Sequence, residues 1–254
     1  MILLETQEVD KNFGGIHAVD HISISVHKGE IVGMIGPNGS GKTTFINLLS
    51  GIYRCDSGKV FFKGEDITGI PPHHVILKGV VRTFQNLRIF RNMSVLENVM
   101  VGRHSMIENS LFNIYFTPRA SSKNERMAHE KAMEVLELVN LAERKDELAR
   151  NLPYGRQKIL EIARALVSEP GLLLLDEPTA GMNPKEAADL CLFLEELRKK
   201  GYTLFIIEHN MRAIMSLSDK IIVLNVGQKL KEGTPEEIQK DEQVQELYLG
   251  KEEA

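Results

Sequence analysis

Ile22, Ile24 and Val26 alternate with Ser23, Ser25 and His27. This period of two marks a strand with one buried face and predicts a small antiparallel sheet near the N-terminus. The pattern then changes. IVGMIG, residues 31–36, is a short apolar run that leads through a glycine-rich loop into TFINLLSG, which reads as a helix closed by Gly51. LLLLD (172–176) and TLFIIE (203–208) are also fully apolar, as strands are when both faces are covered. Between them Asn183 can cap a helix, Pro184 fits its first position, Glu186 completes a capping box, and Lys199, Lys200 and Gly201 form a stop. Strands alternating with helices predict a mostly parallel α/β sheet. From about Asn86 to Leu166 strand signals vanish. There MAHEKAMEVLELVNLAERK places Ala132, Val135, Leu136 and Val139 on one helical face, so a helical subdomain is inserted into the α/β framework.

The 254-residue chain is long enough for one large domain with subdomains. No apolar run reaches the roughly eighteen residues needed to span a bilayer. MILLETQEVDK carries acids and lacks the pattern of a secretory signal, which places the chain on the cytoplasmic side. A net charge of −4 gives no general attraction to a phosphate backbone and argues against nucleic acid as a partner. Cys55 and Cys191 fit neither a disulfide scaffold nor a zinc spacing.

The glycine-rich loop carries the chemistry. GPNGSGKT, comprising Gly36, Pro37, Asn38, Gly39, Ser40, Gly41, Lys42 and Thr43 and followed by Thr44, satisfies G-x-x-x-x-G-K-[ST] between an apolar strand and a helix. Glycines let the backbone wrap close to phosphate oxygens, and the positive end of the following helix faces the anion. Lys42 would reach the β- and γ-phosphates of ATP, and the Thr43 hydroxyl would ligate Mg2+. LLLLDE adds Asp176 at the C-terminal end of a buried strand, suited to holding the metal, and Glu177, suited to accepting a proton from attacking water. LPYGRQ, 152–157, reads as a helix start, with Pro153 and Gly155 ahead of the first turn.

These motifs resemble the nucleotide-binding subunits of ATP-binding cassette transporters over almost the whole chain. The resemblance implies a P-loop NTPase (RecA-like) core with an N-terminal antiparallel β subdomain. It also implies one cassette over 1–254, with the core in 1–85 and 167–254 and the helical subdomain in 86–166. Phe13 falls where the family stacks adenine, Gln85 in RTFQN matches the Q-loop glutamine that touches the metal, and His209 in IIEHN matches the switch histidine that contacts the γ-phosphate. LPYGRQ falls where the family carries LSGGQ, the segment that caps ATP held by a second subunit. Pro153 replaces the serine, Tyr154 the first glycine and Arg156 the glutamine, while Gly155 keeps the second glycine. Tyr154 and Gly155 are thereby assigned to the partner's nucleotide. AGMN, 180–183, lacks the D-loop aspartate, which gives Asn183 a possible second role at the dimer seam.

GVVRTFQNLRIFRNMSVLENV, the tyrosine-glycine signature, DEPTAGMNP, IIEHNM and the GTPEEI and YLG ending are most similar to ATPases of branched-chain amino-acid importers. Lipopolysaccharide-exporter ATPases and urea or amide importers are the alternatives. A cassette ATPase acting without a membrane partner is the alternative of a different class. The resemblance implies a second ATPase subunit, integral membrane permease subunits and, indirectly, a solute-binding protein. It puts the chain peripherally on the cytoplasmic face of the membrane. Residues 86–98 are read as the groove for a permease helix. The apolar burst Leu111, Phe112, Ile114, Tyr115 and Phe116 is read as local packing of the helical subdomain.

Overall fold

The computed structural model describes residues 1–103 and 118–249. The chain forms two compact units, Met1–Arg82 with Gly171–Ala254 and, inserted between these halves, Thr83–Pro170.

The first unit contains two sheets. β1 (Ile2–Phe13), β2 (Ile16–His27), β4 (Ser57–Phe62) and β5 (Glu65–Asp66) make an antiparallel sheet in the order β2-β1-β4-β5. The predicted alternation in β2 is seen directly, since Ile22, Ile24 and Val26 are buried at 0 to 4% exposure. The second sheet has the order β10-β9-β3-β8-β7-β6. Its strands are β3 (Ile31–Ile35), β6 (Val80–Arg82), β7 (Leu172–Asp176), β8 (Leu204–Ile207), β9 (Lys220–Asn225) and β10 (Gln228–Gly233). All neighbours in it are parallel except β9 and β10. Every residue of β3, β7 and β8 is buried, the pattern expected of strands covered on both faces. Helix α1 (Lys42–Leu49) contributes Phe45, which meets Phe205 of β8 with ring centroids 6.3 Å apart. Leu4, Ile22, Val26, Met34, Phe45, Phe62 and Phe205 belong to one apolar cluster that joins both sheets through this helix. A short helix, α2 (Pro72–Lys78), precedes β6.

The parallel arrangement positions the chemistry. Because β3, β8 and β7 run side by side in one direction, the segments that leave their C-terminal ends emerge on one edge of the sheet.

The second unit holds α3 (Val95–Arg103), α4 (Pro118–Leu138) and α5 (Tyr154–Leu166). Ala132, Val135, Leu136 and Val139 are all buried, as the helical period requires. Leu111, Phe112, Ile114, Tyr115 and Phe116 lie outside the described residues. In the first unit, α6 (Pro184–Lys199) begins with a complete capping box, Asn183 accepting from the Lys185 and Glu186 N–H groups at 3.0 Å each. Helices α7 (Met211–Leu217), α8 (Pro235–Lys240) and α9 (Glu242–Leu249) follow. Among the described residues no helix is long and apolar enough to cross a membrane.

Candidate functional site

The loop after β3 is held in a shape that excludes side chains at two positions. A Cβ on Gly41, whose φ is +101°, would lie 2.2 Å from the Ala18 carbonyl oxygen. One on Gly36 would lie 2.3 Å from the Leu224 carbonyl oxygen and 2.5 Å from Ser40 Oγ. Backbone cannot yield to such contacts, so only glycine fits. Gly41 is also the N-cap of α1, and no side chain caps the first turn. The opening N–H groups of a helix have no intrahelical acceptor by position, and together with the macrodipole they favour an anion. Lys42 is 5% exposed, and its ammonium donates to the Gly36 and Pro37 carbonyls at 2.7 and 2.9 Å. Thr43 is exposed and Thr44 half-buried, both in the first turn, while Asn38 and Gly39 form the exposed crest of the loop.

On the same edge, Asp176 closes β7 and is buried. Arg82, at the end of the neighbouring β6, donates to its Oδ2 at 2.7 Å and also to Asn47 Oδ1 of α1 at 2.5 Å. Arg82 therefore ties the acid to the helix that follows the phosphate loop. Glu177 is next, with φ +48°, an uncommon conformation for a residue with a side chain and one concentrated at functional sites. Its N–H donates to the Ile207 carbonyl of β8 at 2.9 Å, and its Oε1 lies 2.7 Å from His209 Nε2. The structure thus brings Glu177 and His209, distant in sequence, into direct contact.

Glu208 fixes that contact. It is 3% exposed, and its carboxylate accepts from the Thr179 N–H at 2.7 Å, the His209 N–H at 3.1 Å and the Asn210 N–H at 3.3 Å. One buried acid therefore holds the turn after Glu177 against the turn that carries His209. A buried carboxylate needs such donors to offset its desolvation. Tyr248 of α9 is engaged with the backbone of Gly36, and burial pushes its phenol up to about 12. The C-terminal helix thereby reaches the first glycine of the phosphate loop. Phe13, 42% exposed, stacks edge-on against Tyr53 with centroids 5.3 Å apart. The Tyr53 N–H donates to the Asn47 carbonyl of α1, which joins this aromatic pair to the same helix.

Gln85, Tyr154 and Gly155 belong to the second unit. Gln85 is exposed, and its carbonyl accepts from Lys158 Nζ of α5 at 2.8 Å. Glu161, one turn further along α5, accepts from the Arg88 N–H at 3.1 Å. Two buried charges of α5 therefore hold the segment that carries Gln85. The start of α5 needs a correction: Pro153 is the N-cap and the helix begins at Tyr154, so Gly155 lies inside the first turn and not ahead of it. Both residues are tolerated there because first-turn N–H groups have no intrahelical acceptor to lose. Gly155 is buried, whereas Tyr154 and Arg156 are exposed.

Arg82, Glu208, Tyr248, Tyr53, Lys158 and Glu161 were not read as site residues from sequence. The available signals were charges in or beside apolar runs, as in GVVRTF and TLFIIE, where a buried charge needs a partner.

Burial raises the Glu161 carboxyl above its ordinary value, opposed by the Arg88 N–H and by the Lys158 and Arg164 charges. The native state then holds this proton more tightly than the unfolded chain, so the stabilising contribution is complete below the ordinary carboxylate value of 4.5 and is lost as pH rises through the raised one. Relative to Glu161→Gln, the wild type should lose stability with rising pH across that window, by at most about 1.4 kcal/mol per pH unit, and then run level. Urea melts of both proteins at several pH values check this; a wild type that gains stability over Glu161→Gln as pH rises would contradict it.

A loop of the G-x-x-x-x-G-K-[ST] pattern after β3, an acid at the end of β7 and an acid–histidine pair on the turns after β7 and β8 are the arrangement of a P-loop ATPase of the cassette type. The chain belongs to the ABC transporter family, whose sequence profile matches residues 19–180. It is an ATPase of the kind that powers transport. A second profile, for branched-chain amino acid ATP-binding cassette transporters, matches residues 228–254. The chain is 44% identical over 250 residues to the high-affinity branched-chain amino acid transport ATP-binding protein BraF of Pseudomonas aeruginosa, covering 98% of each. It is 40% identical over 249 residues to the protein LivG of the same description from Escherichia coli, again over 98% of each. Among solved structures, the ADP conformation of MJ1267, an ATP-binding cassette of an ABC transporter, superposes with a TM-score of 0.86 at 38% identity, covering 98% of this chain and 99% of that one.

Proposed function

We propose that this chain is the ATP-hydrolysing subunit of an importer for branched-chain amino acids, with Glu177 and His209 at its catalytic centre. The observation that carries the reading is the 2.7 Å contact between these two side chains on the sheet edge where the phosphate loop emerges. Glu177 takes a proton from water as the water oxygen bonds to the γ-phosphorus. The bond from that phosphorus to the bridging oxygen then breaks and leaves ADP. His209 holds Glu177 in position and reaches the γ-phosphate. Lys42 and the N–H groups of residues 39–44 bind the β- and γ-phosphates, with Gly36, Pro37 and Asn38 shaping the loop. Phe13 receives the adenine face, with Tyr53 behind it.

The narrow loop, the exposed Thr43 hydroxyl and the buried Asp176 carboxylate oriented by Arg82 fit a magnesium nucleotide. Thr43 and Asp176 would hold Mg2+, which when bound neutralises charge on the β- and γ-phosphates, and Gln85 keeps the metal-contacting role that the family resemblance gives it. A second cassette closes the site by presenting the first turn of its α5, with Tyr154 exposed and Gly155 behind it, to the γ-phosphate. The chain works as a single cassette, with residues 86–98 of its helical insertion receiving a permease helix. Phe90 and Met93, 46% and 38% exposed in that insertion, offer the apolar contact. The protein would sit on the cytoplasmic face beneath the permease, which is served by a solute-binding protein. The identity to BraF and LivG and the match at 228–254 support branched-chain amino acids as cargo.

Purification of the chain from a detergent extract of its own cells tests this reading. Integral permease subunits and ATP turnover should be recovered together, and vesicles reconstituted with the solute-binding protein should accumulate leucine when ATP is supplied. Turnover without any membrane partner would point to a cassette that acts off the membrane.

A further inference from the structure

Four metal-ligating side chains, none of them assigned to ATP, converge on the β1–β2 hairpin. They are Asp10, His17, Asp20 and His21, and one ligand atom from each lies within 4.8 Å of all the others. His17 Nε2 is hydrogen-bonded to Asp10 Oδ2 and lies 3.6 Å from Asp20 Oδ1. His21 Nδ1 lies 2.7 Å from Asp20 Oδ1 and 3.6 Å from Asp10 Oδ2. We propose that this cluster is a zinc site, with Asp10, His17, Asp20 and His21 as its four ligands.

A regular hairpin would not assemble this set. Along an undistorted strand His17 and His21 share a face and Asp20 points to the other. The register of β1 and β2 shifts between Val9 and Lys11 and again between Lys11 and Asn12, and these bulges turn all three residues of β2 toward Asp10. His21 itself sits at φ +49°. Such a conformation in a residue with a bulky side chain costs free energy of order 1–3 kcal/mol and persists where the surroundings hold it.

The donor set is that of a borderline metal. Two imidazole nitrogens and two carboxylate oxygens suit Zn2+ better than Mg2+ or Ca2+, which take oxygen ligands alone. In a tetrahedral zinc site with bonds of about 2.0 Å, donors lie about 3.3 Å apart. The 2.7 and 3.6 Å separations lie on either side of that value, and no two of the four donors are more than 4.8 Å apart. The outer oxygens of both acids are already oriented. Asp10 Oδ1 accepts from Asn12 Nδ2 at 2.8 Å, and Asp20 Oδ2 accepts from Gln228 Nε2 at 2.5 Å. Such outer partners fix ligands and raise affinity. Asp10 is 7% exposed in its side chain, whereas His17 and His21 are 40% and 59% exposed, so an ion has a way in.

The site shares a wall with the phosphate loop. Ala18, between the ligands, presents the carbonyl that packs on Gly41. The Asp20 N–H donates to the Gly227 carbonyl, and the Gly227 N–H donates to the Ser40 carbonyl. A bound ion would brace the hairpin that backs the loop.

Equilibrium dialysis of the tag-free full chain, stripped with EDTA and free of nucleotide, against micromolar Zn2+ tests the proposal. One equivalent should bind in the presence of millimolar Mg2+, and cobalt in its place should give the intense visible bands of a tetrahedral site. The double variant His17→Asn, His21→Asn should bind at least ~10-fold more weakly, whereas Glu177→Gln should bind as the wild type does. The single variant His21→Asn, at the most exposed ligand, should show the same loss if the double variant does not fold. Three results would overturn the site: no zinc on the wild type, unchanged binding by the histidine variants, or loss of the zinc in Glu177→Gln alone.

Discussion

Glu177→Gln is expected to bind ATP as the wild type does and to lose its turnover by about 10²–10⁴-fold, the range for removal of a general base. The amide keeps the size of the carboxylate and can still hydrogen-bond to His209, so the loss should fall on the chemical step. Among the described residues neither neighbouring acid can take over. Asp176 is held by Arg82, and Glu208 is committed to three backbone N–H groups. Phosphate release measured beside an ATP titration checks both halves. With hydrolysis blocked, ATP should also drive the variant into a dimer visible by size-exclusion chromatography. Turnover near the wild-type rate would remove Glu177 from the role of base.

The largest effect on binding is expected from Lys42→Ala. Lys42 is buried and its ammonium is aimed across the loop by two carbonyls, so a phosphate there meets an oriented cation with little solvent screening. Truncation of one partner of a buried, hydrogen-bonded charge pair costs about 2–5 kcal/mol. That corresponds to roughly 30- to several-thousand-fold weaker binding of ATP. Isothermal titration reads the change directly, and a thermal melt of the variant separates loss of the site from loss of the fold. Unchanged ATP affinity would mean that the loop binds no triphosphate through Lys42.

The strands buried on both faces, the helices that follow Gly41 and Asn183 and the phosphate loop were legible in the sequence because each rests on neighbours along the chain, whereas β1, β4, β5, β6, β9 and β10 were not read. IVGMIG, LLLLD and TLFIIE are recognisable from local apolar runs, GPNGSGKT from spacing, and the Asn183 capping box from residues three apart. Side chains that meet across the sheet were not legible. Arg82 serves Asp176 because β6 pairs with β7 in the register Arg82↔Leu174, and Glu208 reaches Thr179 because β8 lies beside β7. Nothing local to RTFQ or IIEHN encodes those partners. The hairpin cluster has the same origin, since only the bulges between β1 and β2 bring Asp10 to His17, Asp20 and His21.

The sequence by itself determined the strands around Ile24, Gly33, Leu174 and Ile206, the helices that follow Gly41 and Asn183, where the loop for phosphate lies and which family the chain resembles. These follow from periodicity, capping and glycine geometry, which act over a few residues. The tertiary structure decided which polar groups meet and what holds them: Arg82 on Asp176, Glu208 between two turns, His209 on Glu177, and Tyr248 against the phosphate loop. The physical reason is that a buried polar group is stabilised by its partner in space, and sheet register, which sets that partner, depends on the packing of the whole core.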